Sequence, residues 1–221
     1  MDDLIQFPSA EYKGYIDYIV EYCRNRKLSL ILKGSLAKGS ATRISDIDLI
    51  VLGLNTNNNI RDLIYNYDIP VMLNLTEKPP GILILIYKNG ICLDLDIRRT
   101  ITDKDLVDSK ILLKYEENFI IGNDVIREKI PPEMLPHREQ WYKILRLVHR
   151  GTIKYLSNKI IEAEGILIEI KNSLTSIEIN NINYSNTFKD DMAKIFDSIC
   201  SKYPVNRKIQ LLFRTLFREI K

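Results

Sequence analysis

Histidine and cysteine are scarce in this chain of 221 residues, and their scarcity excludes several kinds of site. The two histidines, His137 and His149, lie twelve positions apart, and the three cysteines, Cys23, Cys92 and Cys200, are widely separated. A disulfide framework, a clustered zinc site and a histidine-rich metal centre are therefore excluded. Any metal has to be held by carboxylates, whose oxygens favour a hard cation such as magnesium.

Long apolar runs are also lacking. The longest uninterrupted stretch, Gly81 to Tyr87, falls far short of the roughly 20 residues that a membrane-spanning helix needs. Asp2 and Asp3 stand where a signal peptide would be basic. With 45% hydrophobic and 28% charged residues, the composition is that of a globular protein. We therefore expect a cytoplasmic protein with no membrane partner.

The charges divide the chain into two unequal halves. Residues 1–135 hold 17 Lys and Arg against 20 Asp and Glu, whereas residues 136–221 hold 15 against 9. Pro131, Pro132 and Pro136 cluster at the point of division, where neither a helix nor a central strand can continue. The sequence predicts one domain over residues 1–130, a proline-rich linker over 131–136 and a second domain over 137–221.

The spacing of apolar residues predicts an α+β fold. A helical repeat covers residues 10–26, and the Asn89-Gly90 pair is a strong hairpin signal. We expect a small mixed, largely antiparallel sheet flanked by helices, followed by a C-terminal helical bundle. The predicted strands are residues 28–33, 47–52, 69–75, 82–87 and 91–97, and the helical patterns of the second half cover 137–173 and 187–220.

A segment rich in glycine and serine follows the first predicted strand. Gly34, Ser35, Lys38 and Gly39 can present backbone N–H groups, a hydroxyl and an ammonium to a phosphate, because glycine permits close approach. The spacing of the two glycines matches a Walker loop, but Ser40 stands where that motif requires lysine. The segment is therefore an anion-binding candidate of another type.

Asp46 and Asp48 follow in an otherwise apolar strand. Residues two apart point to the same sheet face, with about 6 to 7 Å between their attachment points. Carboxylates that close repel each other unless a cation lies between them. A solvated strand face is the alternative, and Asp103-Lys104-Asp105 after Thr102 shows the same spacing as an ordinary helix N-terminus. The apolar neighbours and the preceding Gly-Ser segment favour a metal site at Asp46 and Asp48.

Asp94 and Asp96 repeat the alternation of carboxylate and apolar residues in a later strand. They share a face, and a neighbouring strand would bring that face beside Asp46 and Asp48. One of them would then complete a three-carboxylate site, able to bind two metal ions and to provide a base for an attacking hydroxyl.

This order of motifs resembles the DNA polymerase β-like nucleotidyltransferase superfamily. The shared features are a Gly-Ser pair, a Ser-Asp-x-Asp run in a strand about ten residues later, and a further strand aspartate. The resemblance covers roughly residues 30–100 and is greatest to the small prokaryotic members, the minimal and the antibiotic nucleotidyltransferases. It implies that Gly34 and Ser35 hold the β- and γ-phosphates of a nucleoside triphosphate. It also implies that Asp46 and Asp48 ligate two magnesium ions, with manganese as the alternative metal.

The third aspartate, by the same resemblance, ligates one metal and acts as the base. We prefer Asp96, because Asp96-Ile97-Arg98 is similar to the ending of several members, but Asp94 fits the alternation equally well and both are kept. Lys38 contacts phosphate or is a solvated loop residue. Ser45 orients the aspartate strand or serves only a turn.

The resemblance implies transfer of a nucleoside monophosphate, with ATP as the expected donor, to an acceptor hydroxyl or phosphate, releasing pyrophosphate. The acceptor stays open between a small molecule, an RNA end and a protein. Arg146, Arg150 and Lys154 share one helix face, which is either solvated or favours an anionic acceptor. Two alternatives are an antitoxin-type adenylyltransferase that modifies a partner protein and a non-catalytic nucleotide- or nucleic-acid-binding module of the same fold.

Overall fold

A computed structural model describes residues 5–54, 57–77, 79–135, 139–185 and 187–220. The chain divides into two units, one of Met1–Tyr87 with Ile91–Pro136 and the other of Lys88–Gly90 with His137–Lys221. Residues 136–138 lie outside the described ranges, so the end of the predicted linker and the start of the predicted second domain stay predictions.

The first unit is built on a six-stranded sheet. Its strands are β1 (Ser29–Lys33), β2 (Ile47–Leu52), β3 (Met72–Glu77), β4 (Pro80–Ile86), β5 (Cys92–Arg98) and β6 (Lys110–Leu113). They lie in the order β3-β4-β5-β2-β1-β6, and only the β2–β5 pair is parallel among the strands described. The predicted α+β class with a largely antiparallel sheet is confirmed.

The described ranges contain eight α-helices, four in each unit. They are α1 (Ala10–Asn25), α2 (Gly34–Ala37), α3 (Asn57–Tyr65), α4 (Asp103–Leu106), α5 (Gln140–Leu156), α6 (Ile160–Ser173), α7 (Phe188–Lys202) and α8 (Arg207–Glu219). The strand β6 and the helices α2 and α3 were not expected from the sequence. The helix α4 begins directly after Thr102, where Asp103-Lys104-Asp105 indicated a helix N-terminus. No helix in the described part of the chain is long and apolar enough to cross a bilayer.

The helical patterns of the second half each contain a break. Asn158 adopts a positive φ of 59° between α5 and α6, a conformation that ends the first helix. Pro204 lies between α7 and α8, where its missing N–H and fixed φ prevent one continuous helix. Side chains of α5, α7 and α8, including Trp141, Ile195 and Phe213, are buried in this unit.

The two faces of the first sheet have different chemistry. Alternate residues of β2 and β5, such as Leu49 and Leu95, belong to the main core together with the buried face of α1. The opposite face carries a smaller apolar cluster that includes Ile50 and Leu52. Because side chains alternate along a strand, the carboxylates of both strands fall on this second face.

Candidate active site

Asp48 and Asp94 lie directly opposite each other on the parallel strands β2 and β5. Neighbouring strands are about 4.8 Å apart, so both half-buried carboxylates occupy the same small area of the sheet face. On the other side of Asp48, Lys33 is its register partner on β1. The register thus brings together two of the predicted site residues that are far apart in sequence.

The structure begins β2 at Ile47, so Asp46, which the sequence placed in the strand, lies just before it and adds a third carboxylate. Burial raises the pKa of Asp48, the negative charge of Asp46 raises it further, and the ammonium of Lys33 opposes both effects. A raised carboxyl pKa means that the ionised form is destabilised where it stands. A cation placed among these oxygens would relieve that cost.

Gly34 packs against the carboxylate of Asp48. It has a positive φ of 68°, and a Cβ atom at this position would lie 1.9 Å from Oδ2 of Asp48. Only glycine avoids both the backbone strain and this overlap. The requirement for glycine therefore connects the Gly-Ser segment with the aspartate strand.

The loop between Gly39 and Asp46 is held by Tyr12 from α1. The Tyr12 hydroxyl donates to the carbonyl oxygens of Arg43, at 3.0 Å, and Ser45, at 2.7 Å. The Ser45 hydroxyl accepts a hydrogen bond from the Thr42 backbone N–H at 2.9 Å. Ser45 thus stabilises the turn that precedes Asp46.

Ser35 lies in the single turn of α2, directly after β1, and is half-buried. Lys38 follows that turn and is exposed, with its Nζ 2.8 Å from Oδ2 of Asp108. An exposed ion pair of this kind contributes little to stability and exchanges readily with another anion. The Lys38 ammonium has three N–H donors and could contact a phosphate beside Asp108 or in its place.

Asp96 lies one step further along β5, opposite Ile50, and its exposed fraction is 5%. Arg98 Nη2 donates to its Oδ2 at 2.6 Å, and Arg127 donates to both of its oxygens at 2.8 and 3.0 Å. Two guanidinium groups therefore occupy the oxygens that a metal would need. The structure brings Asp94, rather than Asp96, beside Asp48.

Asp105 extends this ion network from Arg98 to Lys33, the register partner of Asp48. Lys33 Nζ lies 3.0 Å and Arg98 Nη1 2.9 Å from its Oδ1. Its Oδ2 accepts hydrogen bonds from the backbone N–H and the hydroxyl of Thr102, which forms a capping box at α4. Burial opposes ionisation, but these donors outweigh it and hold the pKa of Asp105 well below its usual range.

The sequence of the first unit was compared with known protein families. Residues 16–109 match the sequence model of the family described as "Nucleotidyltransferase domain". Residues 16–109 are a nucleotidyltransferase domain. The family expected from the Gly-Ser and Ser-Asp-x-Asp motifs is thereby confirmed for this part of the chain.

Comparisons of the whole chain add little to this nucleotidyltransferase domain. No curated protein sequence matches the chain. Among solved structures, an apo CCA-adding enzyme is similar with 12% identity and a TM-score of 0.35, covering 86% of this chain and 51% of that one. A Thermotoga maritima CCA-adding enzyme complexed with tRNA has 12% identity and a TM-score of 0.32, covering 86% and 51%. A CCA-adding enzyme complexed with CTP has 10% identity and a TM-score of 0.34, covering 94% and 50%.

The chain spans about half the length of these structures. Similarity at these TM-scores carries no argument about the activity or the acceptor. The nucleotidyltransferase domain has to be understood from its own residues.

The carboxylates of the nucleotidyltransferase domain fit a hard divalent cation in their chemistry. Asp48 and Asp94 offer oxygen donors on one sheet face, with Asp46 close to Asp48. Burial, together with the negative charge of Asp46, raises the pKa of Asp48. Within the described ranges, however, no three acidic, thiol or imidazole groups are gathered as a finished metal site. To bind a cation, these side chains would therefore have to move closer together. The positive charge of the cation would offset the repulsion between them.

Several residues of the site were missed by sequence reasoning. Tyr12 was recognised only as part of a helix stripe, and Lys33 only as the end of a strand. Arg127 lies 31 residues from Asp96, in a segment with no regular pattern. The Asp96-Ile97-Arg98 run was the one sequence feature that could have indicated the ion pair between Asp96 and Arg98.

The predicted basic face of α5 is only partly available. Arg146 is half-buried, with Nη1 inaccessible to solvent, and Lys154 pairs with Glu162 at 2.8 Å. Arg150 is exposed. His149 is buried at 1% exposure and Trp141 at 6%, so both are core residues.

Proposed function

We propose that the protein transfers a nucleoside monophosphate from a nucleoside triphosphate, with ATP as the expected donor, to an acceptor hydroxyl or phosphate. The observation that carries the proposal is the placement of Asp48 opposite Asp94, with Asp46 two residues before Asp48 and Gly34 packed against the Asp48 carboxylate. A strand pair that served stability alone has no physical reason to place repelling carboxylates together.

Three carboxylates are assigned to the metal. Asp46, Asp48 and Asp94 would hold magnesium or manganese, which would supply electrostatic stabilisation of the charge that develops on the phosphates. The assignment of Asp94 replaces the initial preference for Asp96, whose oxygens are taken by Arg98 and Arg127. Asp94 is also the group proposed to accept the proton of the acceptor hydroxyl.

The Gly-Ser segment is assigned to the triphosphate. Gly34 lets the backbone approach closely, Ser35 supplies a hydroxyl, and Lys38 exchanges Asp108 for phosphate. The acceptor oxygen then forms a bond to the α-phosphorus while the bond from that phosphorus to the pyrophosphate oxygen breaks. Positioning of the two reactants supplies much of the rate in such transfers.

In-line displacement also determines the side of the site from which the acceptor approaches the α-phosphorus. The leaving pyrophosphate lies on the β1 side of Asp48, beside Ser35, so the attacking group enters from the opposite side, over β5 and β4. Asn74 on β3 lies in the same register row, through Ile84 of β4 to Asp94. Its Nδ2 is buried without a hydrogen-bond partner among the described residues, and we assign it to the acceptor side.

The test uses each α-labelled triphosphate with Mg²⁺ or Mn²⁺, with and without cell extract. We expect pyrophosphate release and a labelled acceptor with the natural chain and with Asp103→Asn, which changes an exposed carboxylate outside the site. Asp48→Ala should abolish both products. If Asp48→Ala retains full transfer, the assignment of the site is wrong.

The same assay separates the alternatives. A labelled protein band that is not this chain would identify a protein adenylyltransferase. Triphosphate binding without any product would identify a binding module. With Asn74→Ala, hydrolysis of the triphosphate to nucleoside monophosphate and pyrophosphate, with water as the acceptor, should be unchanged in the absence of extract. Labelling of the acceptor in extract should be reduced.

A further inference from the structure

Basic charge in the helical half is concentrated in its last helix. Residues 203–220 hold four Lys and Arg against one acidic residue, whereas residues 139–202 hold nine against eight. Residues 139–202 are therefore close to neutral, and the net positive charge in the described part of this half comes mainly from α8. The α5 face that the sequence suggested is not the main source of this charge.

Three arginines of α8 form a straight line on its outer face. Arg207, Arg214 and Arg218 are exposed, and separations of seven and four residues place them within about 20° of one helix line. The line is about 16 Å long at 1.5 Å per residue. A nucleic-acid strand presents one phosphate per about 3.4 Å of duplex axis, so this line can face several phosphates in succession.

The described part of the chain does not pair these cations with acidic side chains. Within the described residues, Arg207, Lys208, Arg214 and Arg218 form no salt bridge, whereas Lys154, Lys171 and Lys202 of the same unit each pair with an acid. The first turn of α8 also contains two basic residues and no acidic one. Cations at a helix N-terminus are unfavourable because they face the positive end of the helix dipole. A bound polyanion would compensate that cost.

The remaining surface of α8 argues against a membrane as the anion. Its apolar residues, including Leu212, Phe213 and Leu216, are buried within the unit, and Leu211 is its one large apolar side chain classed as exposed in the described range. A helix that lies on a bilayer needs a broad free apolar face. The exposed face of α8 instead presents planar guanidinium groups, whose paired N–H donors fit the geometry of phosphate oxygens.

We infer that the exposed face of α8 binds the phosphodiester backbone of a nucleic acid through Arg207, Arg214 and Arg218. The binding is electrostatic and independent of base sequence. It does not depend on the nucleotidyl transfer proposed above, because it is measured without triphosphate or metal.

The test measures the affinity of the full chain for fluorescein-labelled RNA and DNA single strands of about 20 nucleotides by fluorescence anisotropy, at about 0.05 to 0.2 M salt. The variant is Arg207→Gln with Arg214→Gln and Arg218→Gln. The matched control is Lys143→Gln with Arg150→Gln and Lys159→Gln, which removes the same charge from exposed positions elsewhere in this unit. Fluorescence of the single tryptophan, Trp141, checks that both variants are folded.

We expect the α8 variant to lose about 100-fold in affinity near 0.1 M salt and about two units of salt slope, as three phosphate contacts on a single strand predict. The control should bind like the natural chain. The inference is overturned if the natural chain does not bind either strand, or if the control loses as much as the α8 variant. Tighter binding to polyglutamate or to phosphatidylserine vesicles than to either strand would overturn it in favour of an acidic protein or a lipid surface. Binding to RNA alone, to DNA alone or to both supports it.

Discussion

Asp48 and Asp94 are direct partners across the parallel β2–β5 pair, and Asp96 is the partner of Ile50 one step further along the same face. The two aspartates of β5 therefore have different surroundings although they are only two residues apart. Asp94 lies beside the carboxylates of β2, whereas Asp96 lies between two arginines. On this difference rests our proposal that Asp94 is catalytic and that Asp96 is structural.

The first prediction compares Asp94→Asn with Asp96→Asn. Asp94→Asn should reduce nucleotidyl transfer at least about 100-fold and leave the free energy of unfolding nearly unchanged, because it removes one of several repelling charges. Asp96→Asn should lower the free energy of unfolding by about 3 kcal/mol, because it leaves Arg98 and Arg127 without their buried partner. Chemical denaturation and the labelled-triphosphate assay measure the two effects. A stable, inactive Asp96→Asn protein would restore Asp96 as the third ligand.

Much of this site could be predicted from the sequence, since Gly34, Ser35, Asp46 and Asp48 lie within fifteen residues and carry a recognisable pattern. The choice between Asp94 and Asp96 could not. Alternation puts both on one face, and the decision depends on the register of β5 against β2 and on an arginine from a distant segment.

The secondary structure was likewise predicted only where the local residue pattern is strong. The strands with strong β-branched patterns were predicted within a few residues, and α1 began where expected. The short strand β6 was not, because four residues give too little periodicity, whereas the acidic start of α4 after Thr102 was recognised. In the second half, the apolar repeat continues on both sides of Asn158, so the break there depends on a backbone conformation that the repeat does not reveal.

The second prediction concerns two glycines with similar backbones. Gly34 and Gly39 have φ values of 68° and 72°, but a Cβ at Gly34 would overlap Asp48, whereas one at Gly39 meets no atom within 4 Å. Both Gly→Ala changes should cost about 1 kcal/mol of stability through the positive φ. Only Gly34→Ala should also reduce transfer by about 100-fold, because it displaces a carboxylate by more than an ångström. Equal activities of the two variants would show that the contact between Gly34 and Asp48 has no role in the reaction.

The third prediction is a pH dependence at Asp105. Its pKa is lowered in the folded state, because the donors from Thr102, Lys33 and Arg98 outweigh the opposing effect of burial. The ionised group therefore contributes stability that is complete above the unfolded pKa of about 3.9 and is lost as the pH falls towards the lower folded value. Asp105→Asn should cost about 3 kcal/mol at pH 7.

The control for Asp105 is Asp103→Asn, which changes an exposed acid in the same turn. The stability difference between the natural chain and Asp105→Asn should shrink as the pH is lowered below about 4, and Asp103→Asn should differ little at any pH. Denaturant titrations across this range measure both. A difference that is independent of pH would mean that Asp105 acts through packing rather than charge.

The fourth prediction is an acid sensitivity of the helical unit at His149. Burial, together with the nearby charge of Arg146, lowers the pKa of His149 to about 3. The unfolded chain binds this proton near pH 6.5, so folding stability is complete above that value and falls as the pH decreases towards 3. The loss between pH 8 and pH 5 should be about 2 kcal/mol from this group alone. Trp141 is buried in the same unit and reports its unfolding by fluorescence. His149→Gln should lower stability at pH 8 but remove this dependence between pH 5 and 6.5, and a variant that kept the full acid sensitivity would assign it to other groups.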